Sequence, residues 1–296
     1  MIKTEVPVLP IKSFYGLNKN MTFEEISGKI LNSLLEEIKG EMPGVIEGKN
    51  DENMHNFRVA ARRAKTLLKI FRKQLSGDGV YFKKKLTKIM KETQRKRDLD
   101  VLVKSLDLYV KEEKEEIRLK IEKEIRIEQG RVLSIIGSRE FNGFLMDLEE
   151  AVKKGALFIN KLDETEPADY FSLMIKKTYK KLRIIIKNTS LDNEELHMLR
   201  LVFKEFRYIL EFSADVIKQD MIIKIISDVK KIQEALGAAH DKIVQIDNFK
   251  KLVDNSKAIR SDIRKALDAD RKNIVELTEA FEGDKDIKSF IRMLNG

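Results

Sequence analysis

The sequence predicts an all-α protein built from two similar helical bundles. The 296-residue chain has four prolines, no cysteine and long segments rich in Leu, Ile, Lys and Glu, which are typical of helices. Segments His55–Thr66 and His197–Tyr208 both begin His-x-x-Arg and carry bases and apolar residues at matching places. A second pair, Thr93–Asp98 and Leu236–Asp241, follows in the same order. The offsets of 142 and 143 residues indicate a tandem duplication.

The predicted domain organisation follows from this duplication. Residues 1–20 are expected to form an extended or loosely attached lead, residues 21–163 the first repeat and residues 164–296 the second. The segment Glu164–Pro167 is the best candidate boundary. Short loops make sequential helices antiparallel neighbours, so each repeat is predicted to be an antiparallel four-helix bundle.

Cap residues and glycines delimit the predicted helices of the first repeat. Thr22 is a good N-cap because Glu25, three residues later, can complete a capping box, and this helix extends to about Met42. The following helices are predicted at 53–76, ended by Gly77, and at 80–110, then through the charged stretch 111–128, with shorter pieces between Gly130, Gly137, Gly143 and Gly155. The alternating charges of 111–128 are typical of a solvated helix face.

The second repeat is predicted to follow the same order. Its helices are expected at 168–188, 195–217, 219–236 and 241–254, with a final pair ending near residue 294. Leu236-Gly237 is interpreted as a helix end, because glycine favours the left-handed conformation there. Thr93-Gln94 stands at the equivalent place in the first repeat and is expected to continue its helix.

Charge and hydropathy restrict the classes of function. The formal net charge is +9, yet residues 54–97 alone contain fifteen Lys or Arg and two acids. Such concentrated charge favours capture of a polyanion. The absence of cysteine excludes disulfides and thiolate chemistry. No segment approaches the roughly 18 apolar residues that span a bilayer, and the N-terminus lacks the apolar core of a signal peptide, so we expect no membrane partner and a cytoplasmic location.

Four helical faces carry regularly spaced bases. One such stripe alone is most often a solvated helix face, but like charges one turn apart destabilise an isolated helix by a few tenths of a kcal/mol per pair. Four stripes in matching places therefore indicate a compensating anion. At about 100° per residue, the stripes are His55, Arg58, Arg62, Lys65, Lys69 and Arg72; His197, Arg200, Lys204 and Arg207; Lys84, Lys88, Lys91 and Arg95; and Lys176, Lys180, Arg183 and Lys187.

Two of the three histidines each begin a basic helix. For His55 and His197, the positive helix end and the neighbouring guanidinium groups both oppose protonation, so their pKa values are expected to be lowered. A neutral imidazole can still donate one N–H to a phosphate oxygen or a carboxylate. The third histidine, in His240-Asp241, is similar to the HD doublet of metal-dependent phosphohydrolases, but those sites need several more histidines.

The motifs together resemble the CHAD family, the conserved histidine α-helical domains. They are His-x-x-Arg-x-x-x-[Arg/Lys]-x-x-[Arg/Lys], present twice, Arg-Asp-Leu-Asp-Val at 97–101 and Leu-Gly-x-x-His-Asp at 236–241. The resemblance extends from about residue 20 to 294. It implies two pseudo-symmetric four-helix bundles around a basic central groove or pore, with inorganic polyphosphate as ligand and no catalysis. The implied contacts are His55, Arg58, Arg62, Arg63, Lys65, His197, Arg200, Lys204 and Arg207, and the other stripe residues rest on helical spacing.

We accordingly expect polyphosphate as partner, no cofactor, no metal and a location that includes polyphosphate granules. Glu205 and Glu211 replace bases of the first stripe, so the first repeat is expected to dominate the affinity. Nucleic-acid binding stays open as an alternative, although the chain has no Trp and its stripes are mostly free of aromatic side chains. A second alternative is a metal-dependent phosphohydrolase that uses Asp98, Asp100, His240 and Asp241. A third is a scaffold that the charges merely solubilise.

Overall fold

A computed structural model describes residues 15–48, 50–110, 114–159, 166–188, 191–217, 220–252 and 256–294. In these ranges helices are joined by short turns, and the extended pairing is a single bridge between Leu75 and Phe158. The all-α prediction is confirmed. The helices are α1 (Phe23–Glu47), α2 (Asp51–Ile70), α3 (Gly77–Glu92), α4 (Gln94–Tyr109), α5 (Lys114–Ile136), α6 (Arg139–Lys153), α7 (Pro167–Asn188), α8 (Asn193–Ile217), α9 (Asp220–Leu252), α10 (Lys257–Gly283) and α11 (Lys285–Met293).

The start of α1 is the predicted capping box. Thr22 accepts a hydrogen bond from the Glu25 amide, and the Glu25 carboxylate accepts one from the Thr22 amide at 2.7 Å. The helix continues beyond its predicted end near Met42, because Val45 is buried in the core and holds the last turn there. Gly48, with φ of 67°, ends it in the left-handed conformation.

The two predictions about the motif junctions were wrong. The predicted helix 80–110 is interrupted at Thr93, where α3 ends and α4 begins. The predicted helix end at Leu236-Gly237 does not occur, since α9 is continuous from Asp220 to Leu252. Gly237 is absent from the glycines with positive φ, so it does not adopt the conformation that ends helices.

Two smaller boundaries also differ from prediction. α2 ends at Ile70, with Phe71 rather than Gly77 as the residue that follows its last turn, and Ser76 caps α3 by accepting from the Gly79 amide at 3.1 Å. Within the charged stretch, residues 111–113 lie outside the described ranges. The rest of that stretch lies in α5 and is only partly solvated, because Ile117 and Ile121 are buried against α4.

Both hydrophobic cores include residues from each half of the chain. The larger core contains Phe71, directly after α2, together with Phe171 of α7 and Phe206 of α8. The smaller core joins α4 and α5 to Phe249 of α9 and Ile263 of α10. α2 packs on α8 and α4 packs on α9, so the two halves meet along these four helices.

The predicted domain limits remain predictions. Residues 1–14 of the lead and 160–165 of the boundary lie outside the described residues. The lead's described end is attached to the second half, because Asp215 accepts from the Tyr15 and Leu17 amides at 3.0 and 3.3 Å. Among the described helices, none combines the length and apolar character needed to cross a membrane.

Candidate functional site

Five helices surround a cavity of about 700 Å³. α2 and α8 carry the two histidine motifs, while α3, α4 and α9 supply the other walls. The lining contains nine arginines and lysines, three histidines and three carboxylates, so it is strongly positive. The charged and imidazole groups are His55, Arg58, Arg62, Lys65, Lys91, Arg97, Asp98, His197, Arg200, Lys204, Arg207, Lys230, Glu234, His240 and Asp241.

The lining residues recur at the offsets found in the sequence. The five from α2, between His55 and Lys65, each match a lining residue of α8 that lies 142 positions later. The seven from α3 and α4, between Thr87 and Val101, each match one of α9 that lies 143 positions later. Tyr208 is the lining residue outside this scheme. Each wall of the cavity is therefore paired with the equivalent wall from the other half.

Arg58 joins the α2 wall to the α3–α4 wall. Its side chain is buried and donates to the Met90 carbonyl at 2.8 Å, to the Thr93 hydroxyl and to the Gln94 side-chain oxygen. Gln94 in turn donates to Asp98 at 2.6 Å. Burial lowers the pKa of Arg58 to about 10, with a further contribution from Arg62. The Arg58 guanidinium group is thus held at Thr93, where α3 ends and α4 begins.

Of the nine bases in the lining, Arg97 pairs with Asp51 and Arg207 with Glu211. The other seven have no ion-pair partner among the described carboxylates: Arg58, Arg62, Lys65, Lys91, Arg200, Lys204 and Lys230. Burial, reinforced by Arg200 and Arg62, lowers the pKa of Lys204 to about 6. Burial and Arg62 likewise lower the pKa of Lys65. The Arg200 Nε is buried without a hydrogen-bond acceptor. The cavity is therefore deficient in negative charge, and its cations repel one another.

The histidines lie in the same positive environment. Burial, followed by Arg97 for His55 and by Arg200 for His197, lowers both pKa values, as the sequence predicted, although burial contributes more than the guanidinium groups. Burial and Arg200 lower the pKa of His240 to about 3. The rings of His197 and His240 are 5.5 Å apart. All three are neutral at neutral pH and can each present one N–H to an anion.

The sequence of residues 29–250 matches the CHAD domain family. The chain belongs to this family. Its fold is similar to that of the CHAD domain from the plant Ricinus communis, with a TM-score of 0.76 at 20% identity over 93% of this chain and 98% of that chain. PptA from Streptomyces chartreusis is also similar, with a TM-score of 0.57 at 14% identity over 86% and 96%. Sequence comparison with curated proteins finds no match.

The cavity of this CHAD protein contains nine of the nineteen predicted binding residues. They are His55, Arg58, Arg62, Lys65, Lys91, His197, Arg200, Lys204 and Arg207. The other ten lie outside its lining: Arg63, Lys69, Arg72, Lys84, Lys88, Arg95, Lys176, Lys180, Arg183 and Lys187. Arg95 donates to Asn248 of α9, and Lys88 lies 3.6 Å from Glu92. The structure therefore separates the predicted set into an inner group and an outer group.

The four α7 bases of the outer group line a surface groove of about 450 Å³ with Tyr179, Ile184 and Ile291. Arg183 and Lys187 both lie within 4 Å of Glu282. This groove is therefore less positive than the cavity.

Arg97 and Lys230 line the CHAD cavity but were missed in the sequence. The predicted lysine stripe that includes Lys84 and Lys88 lies on a face of α3 next to the face that lines the cavity. Lys91 is the residue that belongs to both faces. The motif offset could have identified Arg97, because it matches His240 at 143 residues, whereas Lys230 matches Thr87, which no motif marks.

The acids of the second CHAD motif pair with bases of the first. Glu205 lies 2.7 Å from Lys69, and Glu211 lies 3.1 Å from both Arg63 and Arg207. These contacts connect α2 to α8 and leave Arg200 and Lys204 unpaired. The expectation that the first repeat dominates the affinity thereby loses support, because Glu205 neutralises Lys69, which belongs to the first stripe and not to the second.

The aspartates named for the metal alternative have other partners. Asp100 accepts from Lys96 at 2.6 Å in the protein interior, and Asp98 accepts from Gln94. Across the part of the chain that the structure describes, no three His, Asp or Glu side chains are grouped closely enough to hold a metal ion. Asp98, Asp100, His240 and Asp241 thus form no shared metal centre in this arrangement.

Proposed function

We propose that the protein binds inorganic polyphosphate in the central cavity without catalysing a reaction on it. The observation that carries this proposal is the set of basic side chains without ion-pair partners in one cavity, among them Arg62, Lys65, Arg200 and Lys204. Holding a charge on such partly buried bases without a partner is costly, and this cost lowers the pKa of Lys65 and Lys204. A bound polyanion removes that cost, and the CHAD family to which the chain belongs is associated with polyphosphate.

The chemistry of the lining suits a chain of phosphates. Polyphosphate has about one negative charge per unit and no base for an aromatic side chain to stack on. Arginine offers forked donors to phosphate oxygens, and lysine offers a compact charge. Arg62 and Lys204, which are equivalent in the two motifs, place such donors on both motif helices. The matched lining also supports the proposal that residues 21–163 and 164–296 are two copies of one repeat.

The outer bases are assigned to polyphosphate that extends beyond the cavity. Lys84 and Lys88 share a helix face with Lys91, which lines the cavity, and so continue its charge along α3. The α7 bases would contact only a longer chain. Such binding would bring the protein to polyphosphate granules in the cytoplasm. Its role there would be either its own targeting to the polymer or the organisation of the polymer.

Calorimetric titration with polyphosphates of several lengths, at two salt concentrations, tests this function. We expect tight binding that weakens steeply with salt through counterion release. The double variant Arg62→Gln/Lys204→Gln should lose most of the affinity, whereas Lys265→Gln, an exposed base of α10, should not. Unchanged affinity in the double variant would contradict cavity binding and favour the solubilised scaffold.

A competition experiment distinguishes polyphosphate from nucleic acid as the ligand. Duplex DNA or RNA should fail to displace long-chain polyphosphate at equal phosphate concentration, because a cavity of about 700 Å³ cannot admit a double helix. Displacement would favour nucleic acid as the ligand.

The phosphohydrolase alternative predicts phosphate release in the presence of Mg²⁺ or Mn²⁺ that disappears in Asp98→Ala. We expect no such release. Release that depends on Asp98 would contradict the non-catalytic proposal.

A further inference from the structure

Arg58 and Arg200 occupy the same place in the two His-x-x-Arg motifs but have different surroundings. Both line the cavity, on α2 and α8 respectively. Arg58 is only 2% exposed and makes three side-chain hydrogen bonds. Arg200 is partly exposed and makes none of these three hydrogen bonds, while the Nε of both arginines lies buried without an acceptor. The duplication has therefore produced two arginines with unequal hydrogen bonding.

The bonds of Arg58 satisfy groups that the end of α3 exposes. In a continuous helix the Met90 carbonyl would accept the amide of Gln94. The backbone interruption at Thr93 frees that carbonyl, and Arg58 donates to it at 2.8 Å. Thr93 and Gln94 supply the two further acceptors. A buried carbonyl left without a donor would be unfavourable, so Arg58 stabilises the interruption itself.

In the second half, the wall equivalent to the α3–α4 junction is the continuous helix α9, which needs no hydrogen bond from Arg200. The residues 143 positions after Thr93 and Gln94 are Leu236 and Gly237, whose side chains contain no acceptor. α9 passes through them without interruption, so its carbonyls are bonded within the helix. The guanidinium of Arg200 therefore remains available in the cavity beside Lys204.

We propose that the two arginines have divided the roles of the motif. Arg58 is a positioning residue that holds the α3–α4 junction, and with it Lys91 and Arg97, in the cavity wall. Arg200 is the arginine that binds phosphate. The role of Arg200 rests on the proposed function, whereas the role of Arg58 does not. The difference originates in Thr93-Gln94, which stand where the second half has Leu236-Gly237.

Two matched variants, Arg58→Gln and Arg200→Gln, distinguish these roles. Hydrogen exchange of the ligand-free protein should accelerate across residues 90–97 in Arg58→Gln and stay unchanged in Arg200→Gln. In polyphosphate titrations, Arg200→Gln should weaken binding about tenfold or more, as expected for a charged hydrogen bond. It should also reduce the slope of log affinity against log salt by about one.

The salt slope separates positioning from contact. Arg58→Gln should weaken binding with no change in this slope, because no phosphate contact is lost. Unchanged exchange together with a reduced slope in Arg58→Gln would overturn the inference, since Arg58 would then be a ligand contact like Arg200.

A second route avoids variants of Arg58 that fold poorly. Thr93→Val and Gln94→Ala remove two acceptors and leave Arg58 in place. They should accelerate exchange at 90–97 and should show non-additive melting temperatures when combined with Arg58→Gln, but additive ones with Arg200→Gln. Additivity in both combinations would overturn the positioning role.

The outcomes also separate this inference from the proposed function. If the unaltered protein binds no polyphosphate, the proposed function fails, while exchange and melting still decide the role of Arg58. If the unaltered protein binds and Arg200→Gln binds equally well, the role of Arg200 fails and the proposed function stands.

Discussion

Glu211 of α8 and Arg63 of α2 form an ion pair at 3.1 Å that joins the two halves of the chain. The same carboxylate lies 3.1 Å from Arg207, one turn earlier on α8. Glu211 is only 9% exposed, and both arginines are largely shielded from solvent. A single acid thus compensates two bases where the motif helices cross.

Replacement of Glu211 by Gln should therefore destabilise the protein. Both guanidinium groups would keep their burial and lose their counter-charge, which should lower the free energy of unfolding by about 2–4 kcal/mol. Urea denaturation measures this change. Glu205→Gln is the control, because its partner Lys69 is 51% exposed and such pairs contribute below about 1 kcal/mol. Equal effects of the two variants would contradict the assigned role of Glu211.

The lowered pKa of Lys204, about 6, predicts a pH dependence of stability and of binding. The unfolded chain has a lysine pKa of about 10.4, so between these values the unfolded state binds more protons. Stability should consequently rise with pH over pH 7–9, and Lys204→Met should flatten this rise. Thermal melting of the ligand-free protein across that range checks the sign. A variant that keeps the full slope would show that another group titrates.

Bound polyphosphate should favour the charged form of Lys204, which is mostly neutral in the ligand-free protein at pH 7–9. A bound anion favours the charged amine and raises its pKa, so binding at pH 7–9 should take up a proton. Calorimetry in two buffers of different ionisation enthalpy measures this uptake. Lys204→Met should reduce the uptake, and an identical uptake in the variant would contradict the assignment.

The two glycines Gly237 and Gly79 should respond oppositely to alanine. Gly237 lies inside α9 with open space where the methyl group of an alanine would lie, so Gly237→Ala should raise stability by about 0.5–1 kcal/mol. A Cβ at Gly79 would lie 2.3 Å from the Leu157 carbonyl oxygen, so Gly79→Ala should destabilise. Melting temperatures compare the two. Destabilisation by Gly237→Ala would indicate a helix end at that position after all.

Chain length should reveal the contribution of the α7 face. Lys180 lies in the surface groove outside the cavity, so Lys180→Glu should weaken the binding of long polyphosphate and leave short chains unaffected. Lys65→Glu, in the cavity, should weaken both. Titration with one short and one long polyphosphate provides the comparison. An equal loss for both lengths in Lys180→Glu would mean that α7 belongs to the principal site.

Much of the fold and part of the candidate site could be predicted from local sequence. Thr22 and Glu25 form their capping box because both partners lie within one turn. The inward bases of α2 and α8 follow from helical periodicity, since the apolar face of each helix must be buried. Periodicity placed Lys84 and Lys88 on a charged face of α3 but could not show that they lie outside the cavity lining, because it does not specify which face of a helix turns toward a cavity.

The chain by itself determined the helical class, the paired motifs and the positive charge near His55, since these depend on composition, spacing and local hydrogen bonds. Tertiary structure decided where helices are interrupted and which charges remain unpaired. Arg58, 35 residues before Thr93 in the chain, supports the junction there. Glu205 and Glu211 neutralise bases more than 130 residues away. Such contacts depend on how α2, α3, α4 and α8 pack, which the spacing within any one helix does not specify.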